Sequence, residues 1–163
     1  MKTITKTFTT YAFDELSDKA KEDALHELYD INVDYDWWQF VYEDAETIGL
    51  KISEFDIDRG SYCKGRLTDG LLASIETIMT NHGEGTDTYK LAVTYKEKTN
   101  KLGLEDVDGD MLDELASEYT TDLCEIYLGM LRGEYEYLMS SEAIVESINA
   151  NDYQFTEEGK IFN

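Results

Sequence analysis

The sequence predicts an α+β fold: a predominantly helical single domain over residues 1–163, with a small antiparallel or mixed sheet from N-terminal, central and C-terminal strands. Three observations point there. Several stretches repeat apolar residues at three- and four-residue spacing, and shorter stretches at the start, middle and end alternate apolar and polar residues. There is no proline, and the 11 glycines are scattered, so no flexible linker divides the chain. A length of 163 residues suits one core better than two, and 42% hydrophobic content is that of a globular chain despite the charge.

Lys2 to Thr10 alternates Ile4 and Phe8 with threonines, which predicts a strand. Ala20, Ala24, Leu28 and Ile31 then recur at helical spacing, with Ser17 or Asp14 as the cap. Asp34 or Asp36 opens a second helix carrying Trp38, Val41, Ala45 and Ile48, closed by Gly49. Leu50 to Asp58 has strand composition with an irregularity before Phe55. Ser61 to Leu67 pairs with it across an Arg59-Gly60 turn.

Thr68 is the expected cap of a helix through Leu71, Ile75, Ile78 and Met79 that ends at His82-Gly83, and another helix runs from about Thr86 to Lys101. Asp108 opens the longest helix, with Val107 and Leu112 placed as a hydrophobic staple. Its expected apolar stripe is Leu112, Leu115, Tyr119, Leu123, Ile126, Tyr127 and Met130. Ser141 caps a last helix to about Ala150, and the tail reads as two short strands around Glu158-Gly159.

Charge dominates the composition: 36 acids against 14 bases leave −22. Residues 1–60 hold 15 acids and 6 bases, residues 61–103 hold 5 and 6, and residues 104–163 hold 16 and 2. Such a surface repels nucleic-acid phosphates and anionic lipid and attracts basic surfaces at long range. Direct nucleic-acid binding and membrane association are therefore disfavoured. No segment approaches the ~18 apolar residues of a membrane span, and MKTITKTFTTYAF lacks the apolar run of a signal peptide. The expected compartment is the cytosol of a bacterium or of an infected host cell, where Cys63 and Cys124 stay reduced and partly buried.

The long helix is the most informative segment. Asp110, Glu114, Glu118, Asp122 and Glu125 follow at four, four, four and three residues, so they form a row beside the apolar stripe. Neighbours in such a row lie ~6 Å apart, comparable with the phosphates of one nucleic-acid strand. Glu105, Asp106, Asp108 and Asp113 extend it at the N-terminal end, where acids suit the helix dipole. Glu118 to Glu125 gain nothing from that dipole. Like charges four apart cost about 0.2–0.5 kcal/mol each, and no lysine is expected to relieve them. Two readings stay open: a solvated face of an acidic protein, or a surface that imitates nucleic acid and docks a basic groove. Of the adjacent Trp37 and Trp38, only one can point squarely into a core; Trp37 is the candidate for a rim position, where aromatic residues favour contact. The candidate partner-binding residues are thus Asp106, Asp108, Asp110, Asp113, Glu114, Glu118, Asp122, Glu125 and Trp37.

No catalytic centre or cofactor is expected. The stretch EDVDGDMLDELAS begins like a calcium loop at Asp106, Asp108 and Asp110. Met111 stands where the loop needs glycine, however, and Ser117 where it needs a bidentate glutamate. There is no HExxH, no paired CxxC and no glycine-rich phosphate loop. A hydrolase would need Cys63 or Cys124 beside His26 or His82, and His82 is more simply a helix-end residue.

The segments YAFDELSDKAKEDAL, INVDYDWWQFVYEDAETIGLKI, DRGSYCKG and NHGEGTDTYK resemble a family encoded by phages, prophages and gut bacteria, some of whose members are labelled antitoxin-like. The resemblance spans most of the first hundred residues and extends toward DYQFTEEGK. The family has no established activity, so the resemblance implies no catalytic residue; it implies a phage-linked origin. The function expected is inhibition of a basic, nucleic-acid-handling host protein, such as a CRISPR effector or restriction-type nuclease. The alternative is an antitoxin-like module that neutralises a basic toxin. Lys64, Arg66, Lys90, Lys96, Lys98 and Lys101 form a candidate edge for pairing with the acidic sector of a second copy in a homodimer.

Overall fold

The computed structural model describes residues 1–103 and 109–162, and its architecture is helical α+β. Among the described residues there are six α-helices: α1 (Asp18–Glu27), α2 (Gln39–Thr47), α3 (Leu71–Asn81), α4 (Asp87–Leu102), α5 (Gly109–Leu138) and α6 (Ser141–Ala150). The sheet is a two-stranded antiparallel hairpin of β1 (Leu50–Asp56) and β2 (Tyr62–Leu67). No described helix is long and apolar enough to cross a membrane.

The chain divides into two compact units, each with its own apolar cluster. One comprises Met1–Trp37 and the segment from Tyr135 onward; the other is Trp38–Glu134. In the first, Phe13, Leu16, Ala20, Ala24 and Leu28 pack with Ile144 and Ile148 of α6 and Phe155 of the tail. Ser17 caps α1 by accepting from Ala20 N, as its short hydroxyl side chain favours. The buried Asn32 is satisfied within the same unit: its Nδ2 donates to Leu138 O at 3.0 Å, and its Oδ1 accepts from Ser147 Oγ. Gly159 turns the tail at φ +81°, and a side chain there would collide with the carbonyl of Ala20.

In the second unit, Ala45 and Ile48 of α2, Leu50 and Ile52 of β1, Ile75 and Ile78 of α3, Ala92 and Tyr95 of α4, and Leu115, Tyr119 and Leu123 of α5 form one buried cluster. The hairpin carries its irregularity at Ser53, between the Ile52–Gly65 and Glu54–Lys64 pairs, which is a β-bulge. Thr86 caps α4 through Tyr89 N.

Several local expectations need correction. Lys2 to Thr10 forms no strand: a strand needs a ladder partner, and only Tyr11 finds one, exchanging 2.9 Å backbone hydrogen bonds with Phe155. The tail strands are likewise reduced to isolated bridges of Phe155 with Tyr11 and Ile161. Asp34 and Asp36 do not open α2, whose N-cap is Trp38. Gly70, not Thr68, precedes α3, because Thr68 turns back to the Gly49 carbonyl. Ser140 rather than Ser141 caps α6 through Ala143 N. On α5, Met130 is exposed, whereas Cys124, Leu128 and Leu131 are buried. The expected helix opening at Asp108 and the Val107–Leu112 staple fall outside the described residues.

Candidate functional site

The acidic row is carried on a continuous 30-residue helix, so its spacing is set by helix geometry rather than by loops. Asp110, Asp113, Glu114, Glu118, Asp122 and Glu125 are all exposed; Asp106 and Asp108 lie outside the described residues. A step of four residues overshoots a 3.6-residue turn by about 40°. The row therefore drifts around α5 toward the flank where Tyr119 packs on α4. Tyr119 and Tyr95 meet edge to face at 5.1 Å.

That drift determines which acids find partners. Asp122 accepts a 2.6 Å hydrogen bond from the Tyr95 hydroxyl, and Glu118 pairs with Lys98 at 3.6 Å. Lys98 also lies over the Tyr95 ring, 4.1 Å from its centroid. These groups line a shallow cleft of ≈ 320 Å³ with Ser117 and Thr121. The expectation that no lysine relieves the row is thereby corrected: the counter-ion comes from α4, not from α5. Among the described residues, no ion pair involves Asp110, Asp113, Glu114 or Glu125. Asp122 has a hydrogen bond but no ion pair either, so among the described residues of the row only Glu118 meets a cation.

Trp37 does not occupy the exposed rim position expected of it. It is only 7% exposed, and its ring stacks on Tyr135 at 5.4 Å, because the first of the paired tryptophans turns inward while Trp38 packs on Phe55 at 5.7 Å. The exposed apolar residue that helical spacing places within the acid row is Met111, 49% exposed. It escaped the sequence reading because it is a single residue that interrupts a polar pattern. Phe40 on α2 is more exposed still, at 80%. Of the six cations in residues 61–103, Lys64 pairs with Glu54, Lys90 with Asp87 and Lys98 with Glu118.

A second polar cluster joins α2, the end of α3, the start of α4 and α5. Tyr127 donates to Asp44 Oδ2 at 2.7 Å, His82 Nε2 stands 4.0 Å from Asp44 Oδ1, and His82 Nδ1 lies 2.6 Å from Thr88 Oγ1. Asp44, His82 and Thr88, with Asp87, Glu125 and Met130, line a cavity of ≈ 830 Å³. The order carboxylate–imidazole–hydroxyl resembles a nucleophilic triad, but Thr88 is 1% exposed and its hydroxyl faces His82 and Thr86. The contacts tie the start of α4 to the end of α3, with the Thr88 hydroxyl held between His82 and Thr86. Burial, then the hydrogen bond and charge of Asp44, push the Tyr127 phenol well above its usual range.

Cys63 and Cys124 line a different cavity, of ≈ 570 Å³, with Gly65, Arg66, Ala116 and Thr120. Neither His82 nor His26 lines it, so the pairing of thiol and imidazole that covalent catalysis requires is not assembled there. Among the described residues, no three His, Cys, Asp or Glu side chains are grouped so as to hold a metal ion. No protein-family model, curated protein or solved structure matches this chain.

Proposed function

We propose that this chain is a binding protein of phage or mobile-element origin. It inhibits a basic, nucleic-acid-handling host protein by presenting the acidic face of α5 in place of nucleic acid. One observation carries the reading: six exposed carboxylates run from Asp110 to Glu125 on a single rigid helix. They cover roughly 22 Å at 1.5 Å per residue. A groove built for a phosphate backbone is lined with Lys and Arg at similar intervals, and binding it would relieve the repulsion within the row. Asp110, Asp113 and Glu114 supply the charge, and Met111 supplies an apolar contact beside it. The resemblance to phage-encoded proteins supports the choice of a host defence protein, such as a CRISPR effector or restriction-type nuclease, as the target. Both partners would then meet in the host cytoplasm.

The test uses the full chain as bait in a bacterial lysate, beside a variant with Asp110, Asp113 and Glu114 all changed to lysine. A nuclease or other DNA- or RNA-binding protein retained by the wild type alone, and released by added duplex DNA, supports the reading. A partner retained equally by both proteins, or indifferent to DNA, overturns it. A basic toxin encoded beside this chain as the captured partner would favour the antitoxin-like alternative.

A further inference from the structure

Cys63 and Cys124 are the chain's two cysteines, sixty-one positions apart, and both are free thiols. The second unit brings them together. Cys63 is half-buried on β2 and packs against the apolar cluster that contains the buried Cys124 of α5, and both thiols line the same cavity. Gly65, two residues beyond Cys63 on β2, helps to permit this approach. A Cβ at that position would stand 2.9 Å from the Lys51 carbonyl oxygen, 3.1 Å from Leu50 Cδ1 and 3.4 Å from Cys124 Sγ.

The two sulfurs are chemically unequal. Cys63 lowers the pKa of Cys124 against the opposing effects of burial and Glu125. Cys124 in turn, with burial and the charge of Glu125, drives that of Cys63 far upward. That direction favours Cys124 as the thiolate, which is the reactive form of cysteine. Cys63 retains the partial solvent exposure of the pair.

We propose that Cys63 and Cys124 form a redox-sensitive dithiol that a small hydroperoxide converts into an intramolecular disulfide between β2 and α5. The Cys124 thiolate attacks one peroxide oxygen; the O–O bond breaks, leaving a sulfenic acid on Cys124 and releasing hydroxide, which takes up a proton. The Cys63 sulfur, losing its own proton, attacks the sulfenic sulfur; the S–O bond breaks and the oxygen departs as water. Two thiols and one hydrogen peroxide give one disulfide and two waters, with two electrons passing from sulfur to peroxide. The product ties the β1–β2 hairpin to α5 immediately before Glu125, in the acidic face. This site is independent of the partner that the face binds.

The experiment treats the reduced full-length chain with about one equivalent of hydrogen peroxide, then reads intact mass and free thiols under denaturing conditions. The expected result is a monomer lighter by two hydrogen atoms, with neither cysteine reactive toward maleimide and both restored by dithiothreitol. In C63S, the Cys124 sulfenic acid should instead accumulate and react with dimedone. Two reactive thiols after treatment, a mass gain from oxygen added to sulfur in the wild type, or a disulfide between two chains would each overturn the proposal. The wild-type mass alone decides the matter should C63S fail to fold.

Discussion

The Tyr95 hydroxyl donates a 2.6 Å hydrogen bond to Asp122 Oδ2, fastening α4 to the acidic row of α5. It belongs to a set of three buried phenols on these helices. Tyr127 donates to Asp44 at 2.7 Å, and Tyr119 shares a 3.0 Å hydrogen bond with Ser74. Burial is the largest cause of a raised pKa in all three, and the acceptor carboxylates raise Tyr95 and Tyr127 further.

These phenols predict alkaline sensitivity. Unfolded tyrosines titrate near pH 10, whereas the folded chain keeps its phenolic protons to higher pH. The contribution is fully present below about pH 10 and is lost as pH rises from there toward the folded-state values, because the unfolded chain then releases protons the folded one retains. The urea midpoint should hold between about pH 8 and pH 9 and fall by about pH 11. Y127F should weaken that dependence, which circular dichroism across the pH series would reveal.

Ser74 predicts an asymmetry between two small deletions. Its hydroxyl donates to the Ile48 carbonyl at 2.8 Å and receives the Tyr119 hydroxyl. Y119F removes one donor and leaves Ser74 paired, so a loss of about 1 kcal/mol is expected. S74A strands both the Ile48 carbonyl and the Tyr119 hydroxyl in the interior and should cost more, about 1–3 kcal/mol. Denaturant melts of the two variants give the comparison.

Two glycines should respond to alanine with opposite signs. G159A places a side chain at φ +81° against the Ala20 carbonyl, and should lose more than the ~1–2 kcal/mol of left-handed strain alone. G133A lies within α5 with no neighbour near the added Cβ, and should gain about 0.5–1 kcal/mol. Thermal unfolding measures both.

Much of this architecture was legible from periodicity and capping. Ser17 and Thr86 begin their helices as their hydroxyls dictate, and the hairpin bulge lies at Ser53, just ahead of Phe55. What failed was non-local. The Ile4–Phe8 alternation signals strand propensity but cannot supply a neighbouring strand. The sequence places Trp37 and Trp38 side by side without saying which turns inward. Nor does a count along α5 reveal Lys98, because it approaches from α4.

The same partners sort the acidic residues into two classes of variant. Lysine at Asp110, Asp113 and Glu114 meets no internal cation, so melting should change by no more than about 1 kcal/mol. D122K removes the acceptor of the buried Tyr95 hydroxyl, and a loss of about 1–3 kcal/mol is expected. E118Q gives up only the exposed pair with Lys98, a change of at most about 1 kcal/mol. Calorimetry of the three proteins tests the division and certifies the first as a folded probe of binding.

The most direct test of the acidic face is a competition titration. The chain is added to the nucleic-acid-binding protein it captures, preloaded with labelled duplex DNA. Wild-type chain should displace the DNA, with affinity falling at least about tenfold from 50 to 200 mM salt, while the Asp110, Asp113 and Glu114 lysine variant should displace none. Equal displacement by that variant, or displacement unaffected by salt, would contradict the claim that α5 stands in for a phosphate backbone.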